Sequence, residues 1–266
     1  MRLATKIVEK PWGMDALPPR FNVPVGKRIG EVWFEPPPQM PDVLVKYIFT
    51  SEKLSVQVHP SNEQAAALGE RESGKEECWL VIDAEPGATL GIGFTEEVDT
   101  ETVRRAALDG TIEQMMQWHP VRPGDFFYIP AGTVHAIGAG VSLIEIQQNS
   151  DITYRLYDYG RPRELHLEKG LQVAKCEPYE PRLRARLPEG PCAELARGPN
   201  FVIYKTEGPL AGQEAGLPDK PWIVVPLAGQ VSMGDESIAV GSAALASASD
   251  RLAFDANGAC LVICAR

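Results

Sequence analysis

Apolar runs are short throughout the chain, and none approaches the roughly 18 consecutive apolar residues that a bilayer-spanning helix needs. Residues 1–15 also lack the apolar segment of a secretory signal, so the expectation is a soluble, cytoplasmic protein. Positive charge is scarce too: 26 Lys and Arg stand against 36 Asp and Glu, a formal net charge of −10. That balance argues against nucleic acid or an anionic membrane as the main partner, because both are bound through basic surfaces that displace counterions. Any anionic ligand must meet a local basic cluster. Cysteine is too irregular for a disulfide framework, since Cys78, Cys176, Cys192, Cys260 and Cys264 are odd in number and share no spacing. They are read as reduced. Histidine is sparse and one-sided, with His59, His119, His135 and His166 and none beyond, so a histidine metal site belongs to the first part of the chain.

What is abundant is punctuation. Twenty-four glycines and 23 prolines divide many short runs rich in Val, Ile, Phe and Tyr, the pattern of a mainly β protein, a sandwich or barrel, and not of a helical bundle. Strands are expected over residues 43–50, 54–59, 78–83, 125–129, 142–148 and 153–158. Helices are expected over 62–72, over 100–109 behind an Asp99 cap, over 112–118 and over 166–175, as insertions on a β core (about 61–73 and 99–118). At 266 residues there is room for two modest domains. After Glu177 the composition shifts, with Pro178, Pro181, Pro188, Pro191 and Pro199 crowding a segment of mixed charge. The expected division is 1–180 and 181–266, the second a smaller β unit with strands at 201–205, 222–227 and 261–264 and a structural or lid-like role.

Side chains alternate across a strand, which groups Ser55, Gln57 and His59 on one face and Leu54, Val56 and Val58 on the other. Glu77 then shares a face with Trp79 and Val81, while Cys78 points away with Leu80 and Ile82 as a buried thiol. Glu145 aligns with Gln147, and Arg155 with Thr153 and Tyr157. Lys46 lies inside an apolar run, and a charge embedded there needs a partner or a polar cavity. Lys46, Glu145 and Arg155 are therefore candidates for a polar pocket. Gln57, His59, Glu77 and His135 together offer imidazole nitrogens, a carboxylate and an amide oxygen, a mostly N/O set suited to Zn²⁺, Fe²⁺ or Mn²⁺.

The segment from Gly124 to His135 carries Gly, Pro130 and His at the spacing of the second cupin motif. The first motif is altered, with Gln-x-His in place of His-x-His and the glutamate displaced downstream by residues 60–74; the asparagine that often closes motif two is absent. The same departures, with Lys10-Pro11-Trp12-Gly13, Gly30-Glu31-Val32-Trp33, Gly74-Lys75-Glu76-Glu77-Cys78-Trp79 and the block from Asn149 to Tyr159, make most of the chain resemble the type I phosphomannose isomerases. The resemblance implies a cupin (jelly-roll) β-barrel with short helical insertions and a second smaller β unit at the C-terminus. It implies one Zn²⁺ per chain at Gln57, His59, Glu77 and His135. It also implies phosphate contacts at Lys46, Ser55, Lys75 and Arg155, catalytic roles for Arg155, Glu145 and Lys75, and a sugar phosphate as partner. The chain and its helical region around residues 100–118 are short for the family. His119 and His166 match no ligand position and are read as surface or helix residues.

The expected activity is interconversion of mannose 6-phosphate and fructose 6-phosphate. That requires a proton to move between C1 and C2 through an enediol, with Glu145 as the shuttle or a metal-bound water in its place. The rival expectations are a cupin isomerase for another hexose phosphate, an iron cupin dioxygenase, and a non-catalytic sugar-phosphate binding protein.

Overall fold

A computed structural model describes residues 1–21, 23, 26–71, 73–190, 192–208, 221–246 and 252–266. Pro191 and Glu72, assigned above to the linker and to a helix, lie outside them.

Mainly antiparallel pairing joins the strands into four sheets. A seven-stranded sheet runs, in spatial order, Thr5–Met14, Ile29–Phe34, Val43–Phe49, Val141–Gln148, Glu77–Ala84, Asp125–Ile129 and Arg184–Arg186. A five-stranded sheet faces it, ordered Tyr154–Tyr157, Val56–Val58, His135–Ile137, Thr89–Phe94 and Met116–Pro120. The alternation read from sequence sets what lies between them. Ile48, Trp79, Val81, Leu143 and Phe127 of the first sheet and Leu90, Ile92 and Ile137 of the second form one buried apolar cluster, which fills the barrel.

The opposite faces are covered in turn. Val56, Val58, Val134, Ala136 and Leu156 on the outer face of the five-stranded sheet pack with Val103, Ala106 and Ala107 of the helix Thr100–Asp109 and with Leu171 of the helix Leu167–Val173. Asp99 caps the first of these helices by accepting from the Thr102 backbone N–H at 2.9 Å. On the rear of the seven-stranded sheet, Val45, Tyr47, Cys78, Leu80, Ile144 and Ile146 share a cluster with Phe201, Ile203, Ile223 and Ile263. Those last four belong to a C-terminal sheet, ordered Cys192–Arg197, Phe201–Glu207, Ala259–Ala265, Trp222–Ala228 and Ala244–Ala246. A three-stranded sheet, Glu236–Ala239, Gln230–Met233 and Leu252–Phe254, lies beyond it and shares a further apolar cluster. The fold is therefore a stack of β layers with helices on the barrel's outer side. Among the described residues no helix is long and apolar enough to cross a membrane.

Three local expectations are corrected. Residues 112–118 are not one helix: the helix is Ile112–Met115, and Met116–Pro120 turns into a strand paired with Thr89–Phe94, where ladder hydrogen bonds replace helical ones. The helix expected over 62–72 stops at Ala67, followed by Leu68 as its C-cap and by Gly69 at φ +71°. Tyr157 does not share the face of Arg155. A register shift between Arg155 and Tyr157 rotates it outward, against the helix side, where its hydroxyl approaches Gly110.

Candidate metal centre and polar cavity

Cross-strand register assembles the site in rows. In the five-stranded sheet Arg155 stands opposite Gln57, and Gln57 opposite His135. In the seven-stranded sheet one row is Trp33, Lys46, Glu145, Trp79 and Phe127, and the next is Gln147, Glu77 and Ile129. Closing the barrel turns these rows toward each other. One ligand atom each from His59, Glu77 and His135 then lies within 4.8 Å of the others, all three residues buried.

Backbone geometry brings the ligands in from their distant segments. Residues 60–74 leave the barrel through the short helix Asn62–Ala67 and return where Lys75 N–H donates to Pro60 O at 2.9 Å and Gly74 N–H to Asn62 Oδ1 at 2.9 Å. A Cβ on Gly74 would lie 2.3 Å from the Ser61 carbonyl carbon, so only glycine permits this return. At the other end Gly132, at φ +86°, donates its N–H to His59 O at 2.8 Å, which seats the turn before His135 beside the first ligand segment.

Both imidazoles are oriented from behind. His59 Nδ1 lies 2.7 Å from Ile152 O and His135 Nδ1 lies 2.8 Å from Thr133 O. Carbonyls only accept, so each Nδ1 carries the proton and each Nε2 presents a lone pair to the interior. Burial, then the Lys75 charge, push the His59 value well below the ordinary imidazole range. Burial likewise lowers that of His135, against the opposing pull of Glu77. Both rings are thus neutral, as a metal requires. His135 Nε2 is 3.2 Å from Glu77 Oε1 and His59 Nε2 is 3.6 Å from Glu77 Oε2. Lys75 Nζ reaches Glu77 Oε2 at 2.8 Å and His59 Nε2 at 3.3 Å. The Lys75 contact brings charge to Glu77 without hydrogen-bond alignment, and both Glu77 oxygens remain without a donor.

Buried polar atoms are almost always paired, so unpaired ones mark a place built for something else. Six side-chain atoms lack an aligned partner among the described residues, among them both Glu77 oxygens and Arg155 Nε; Glu145 Oε1 is also of this kind but has Lys46 in ion-pair contact. Two neutral imidazole nitrogens facing an unsatisfied carboxylate fit a divalent cation. His59, Glu77 and His135 therefore form a group able to hold a metal ion. Gln57 stands at its edge in a different attitude: its Nε2, not its Oε1, lies 3.3 Å from His135 Nε2, while Oε1 accepts from Ser55 Oγ at 3.2 Å.

Beside the group opens a cavity of about 210 Å³. It gathers all five side chains that strand phase and resemblance had singled out beyond the ligands: Lys46, Ser55, Lys75, Glu145 and Arg155. Lys46 Nζ is 2.8 Å from Glu145 Oε1, and Trp79 Nε1 donates to Glu145 Oε2 at 2.9 Å. Burial alone would raise the Glu145 value, but Lys46 and Lys75 together hold it below the ordinary carboxylate range, so Glu145 is ionised. Lys46 loses basicity to burial but gains more from Glu145 and Glu31, and stays charged. Arg155 Nη1 donates to Glu164 O at 2.9 Å, and its Nε has no acceptor. Cys78 lies on the rear face, fully buried.

Sequence reasoning left out Lys10, Trp12, Glu31 and Arg163, which also line this cavity. Glu31 carried the same signal as Lys46, a charge inside an apolar strand, and it lies 4.0 Å from Lys46 and 3.5 Å from Lys10. Arg163 carried none. It comes from a loop and reaches the cavity because the buried Asp158 accepts from its Nε and Nη2, each at 2.6 Å. His119, half-buried, lies against Phe127, Tyr179 and Ile92 O, and His166, at the start of a helix, accepts from the Arg155 backbone N–H; neither belongs to the metal group.

No family model matches the chain. A mannose-6-phosphate isomerase of Bacillus subtilis is 45% identical over 140 residues, covering 49% of this chain and 43% of that protein. One of Streptococcus mutans is 37% identical over 213 residues, covering 74% and 65%. The crystal structure of the mannose 6-phosphate isomerase from Bacillus subtilis superposes with a TM-score of 0.81 at 25% identity, over 99% of this chain and 98% of that one. The chain belongs to the mannose-6-phosphate isomerase family. Its fold is the mainly β, cupin-type architecture of those structures. A mutant phosphomannose isomerase from Salmonella typhimurium shares that fold at a TM-score of 0.76 and 13% identity, over 100% of this chain and 99% of that one. The matched stretches span less than two thirds of the length of these curated relatives, 43% and 65% of the two described.

Proposed function

We propose that this protein is a zinc-dependent aldose–ketose isomerase that interconverts mannose 6-phosphate and fructose 6-phosphate. The observation that carries the proposal is the placement of two neutral imidazoles and an unsatisfied carboxylate against a cavity lined by Lys46, Lys75 and Arg155. His59, Glu77 and His135 would hold the ion, with Gln57 as the fourth residue once its amide presents Oε1. A divalent ion there would supply electrophilic stabilisation of the negative charge that develops on the C1 and C2 oxygens.

The chain's own residues account for the rest. The unpaired Arg155 Nε and the Ser55 hydroxyl are donors for a phosphate, and Lys46 and Lys75 add positive field within an otherwise acidic protein. Phosphate binding at a distance from the reacting carbons aligns them without contributing to the chemistry directly. Glu145 is in the carboxylate form that a base needs, and Trp79 and Lys46 fix its direction. Their hold also makes it a weak base, so orientation has to offset lost basicity. Lys75 lies between the two carboxylates, 2.8 Å from Glu77 and 3.8 Å from Glu145. The division at residues 180 and 181 belongs to the same reading, with the metal site confined to the N-terminal unit.

A coupled assay on purified, zinc-loaded protein tests the proposal. Mannose 6-phosphate should be turned over faster than other hexose phosphates. No turnover of any hexose phosphate would overturn the isomerase reading, and preference for another would redirect it.

A further inference from the structure

Lys75 lines the cavity and Glu77 faces the metal group, and strand alternation turns Glu76 between them to the rear of the seven-stranded sheet, where it is 2% exposed. Among the described residues it has no cationic partner within ion-pair distance. Its carboxylate is held by neutral donors: Tyr128 Oη donates to Oε2 at 2.5 Å, and the backbone N–H and Nδ2 of Asn200 donate to Oε1 at 3.0 and 2.9 Å. Tyr128 belongs to the catalytic sheet itself. Asn200 does not; it sits in the turn between Cys192–Arg197 and Phe201–Glu207 of the C-terminal sheet.

That turn is shaped for the approach. A Cβ on Gly198 would stand 2.7 and 2.8 Å from the two Glu76 oxygens, so glycine is what lets the turn close on the carboxylate. Arg266 secures the turn from its own side, donating from Nη1 to Gly198 O and from its backbone to Asn200 O, each at 2.9 Å. The apolar cluster between the two sheets would hold them together without any of this, and a buried carboxylate is a costly addition to such an interface.

We propose that the C-terminal β unit is a rear clamp on the metal site, with Asn200, acting through Glu76, as a positioning residue for Glu77 and Lys75. The lever is short. Glu76 N–H donates to Gln148 Oε1 at 3.0 Å and Gln148 N–H to Glu76 O at 3.1 Å, so the Glu76 backbone is tied to the strand that also pairs with Glu77. A carboxylate deprived of Asn200 must rotate to find new donors, and the strand that moves with it carries Glu77 on its other face. The two imidazoles are anchored separately to Ile152 and Thr133 and would not follow.

The inference rests on the metal-site reading above, and its test reads the metal directly. Co²⁺ is titrated into wild type, Asn200→Ala and Asn200→Ser, and affinity and visible d–d bands are recorded alongside the unfolding temperature. Asn200→Ala should lose about tenfold in Co²⁺ affinity with altered bands, the size expected for losing support behind a ligand. Asn200→Ser, which keeps a side-chain donor beside the backbone N–H, should return part of it. Wild-type affinity and bands in Asn200→Ala, whatever its unfolding temperature, would overturn the clamp, and so would a loss that Asn200→Ser does not reduce. If Asn200→Ala does not fold, Gly198→Ala, which presses a methyl on the same carboxylate, is judged by the same affinity and bands. Wild type that binds Co²⁺ but isomerises no hexose phosphate would remove the isomerase reading and leave the clamp standing.

Discussion

The barrel and the C-terminal β unit use the same material, antiparallel strands rich in Val and Ile, to opposite ends. In the barrel, Glu31, Lys46, Lys75 and Glu145 are buried around one cavity, with His59, Glu77 and His135 buried beside it. In the C-terminal unit the buried polar residues among those described are Lys205, Thr206 and Ser242. Lys205 donates to Pro188 O at 2.9 Å and to the partly exposed Glu207 at 2.6 Å, which settles its charge at the surface. Charge inside the barrel carries unpaired atoms and costs stability, whereas charge in the second unit is satisfied locally. The difference is what favours the proposals that chemistry belongs to the barrel and support to the second unit.

The comparison can be broken at several points. The largest effect is expected from His135→Ala, which removes a ligand: bound zinc should fall close to zero by elemental analysis and turnover by roughly a thousandfold or more. Lys46→Met leaves Glu145 buried beside only Lys75, and should cost about 3–5 kcal/mol in urea unfolding. The matching Lys205→Met should cost about 1–2 kcal/mol and leave zinc content unchanged, because its partner Glu207 can turn to water. Equal losses would erase the distinction between the two units. Ile238→Ala, in the apolar cluster of the second unit, should cost about 2–4 kcal/mol while zinc binding persists, which separates core stability from the site. Arg155→Ala should raise KM for the sugar phosphate roughly 10- to 100-fold with zinc intact. The smallest effect is that of Asp99→Ala, a slightly lowered unfolding temperature from a lost helix cap on the barrel's outer layer, with kinetics unchanged.

Strand phase and spacing alone brought out much of this. Asp125–Ile129 and the capped helix Thr100–Asp109 lie where propensity and capping put them, because both are local matters settled by neighbours in sequence. The inward side chains Lys46, Glu77 and Glu145 were legible because a charge in an apolar run can face only a cavity or a partner. Tyr157 was misjudged because a bulge depends on the partner strand's register. Met116–Pro120 was misjudged because pairing with Thr89–Phe94, distant in sequence, outweighs a short helical pattern.

The sequence by itself determined which residues could be ligands, which faces they occupy and where the chain bends, since alternation, glycine and proline act over a few residues. Only the tertiary structure decided that Gln57 turns its amide nitrogen to His135, that Lys75 pairs with Glu77 at the cavity wall, and that Arg163 joins the lining through Asp158. It also decided that Glu76 reaches Asn200 across 124 residues. Each of these depends on cross-strand register and on how one sheet lies over another, and neither is encoded in any local stretch of chain.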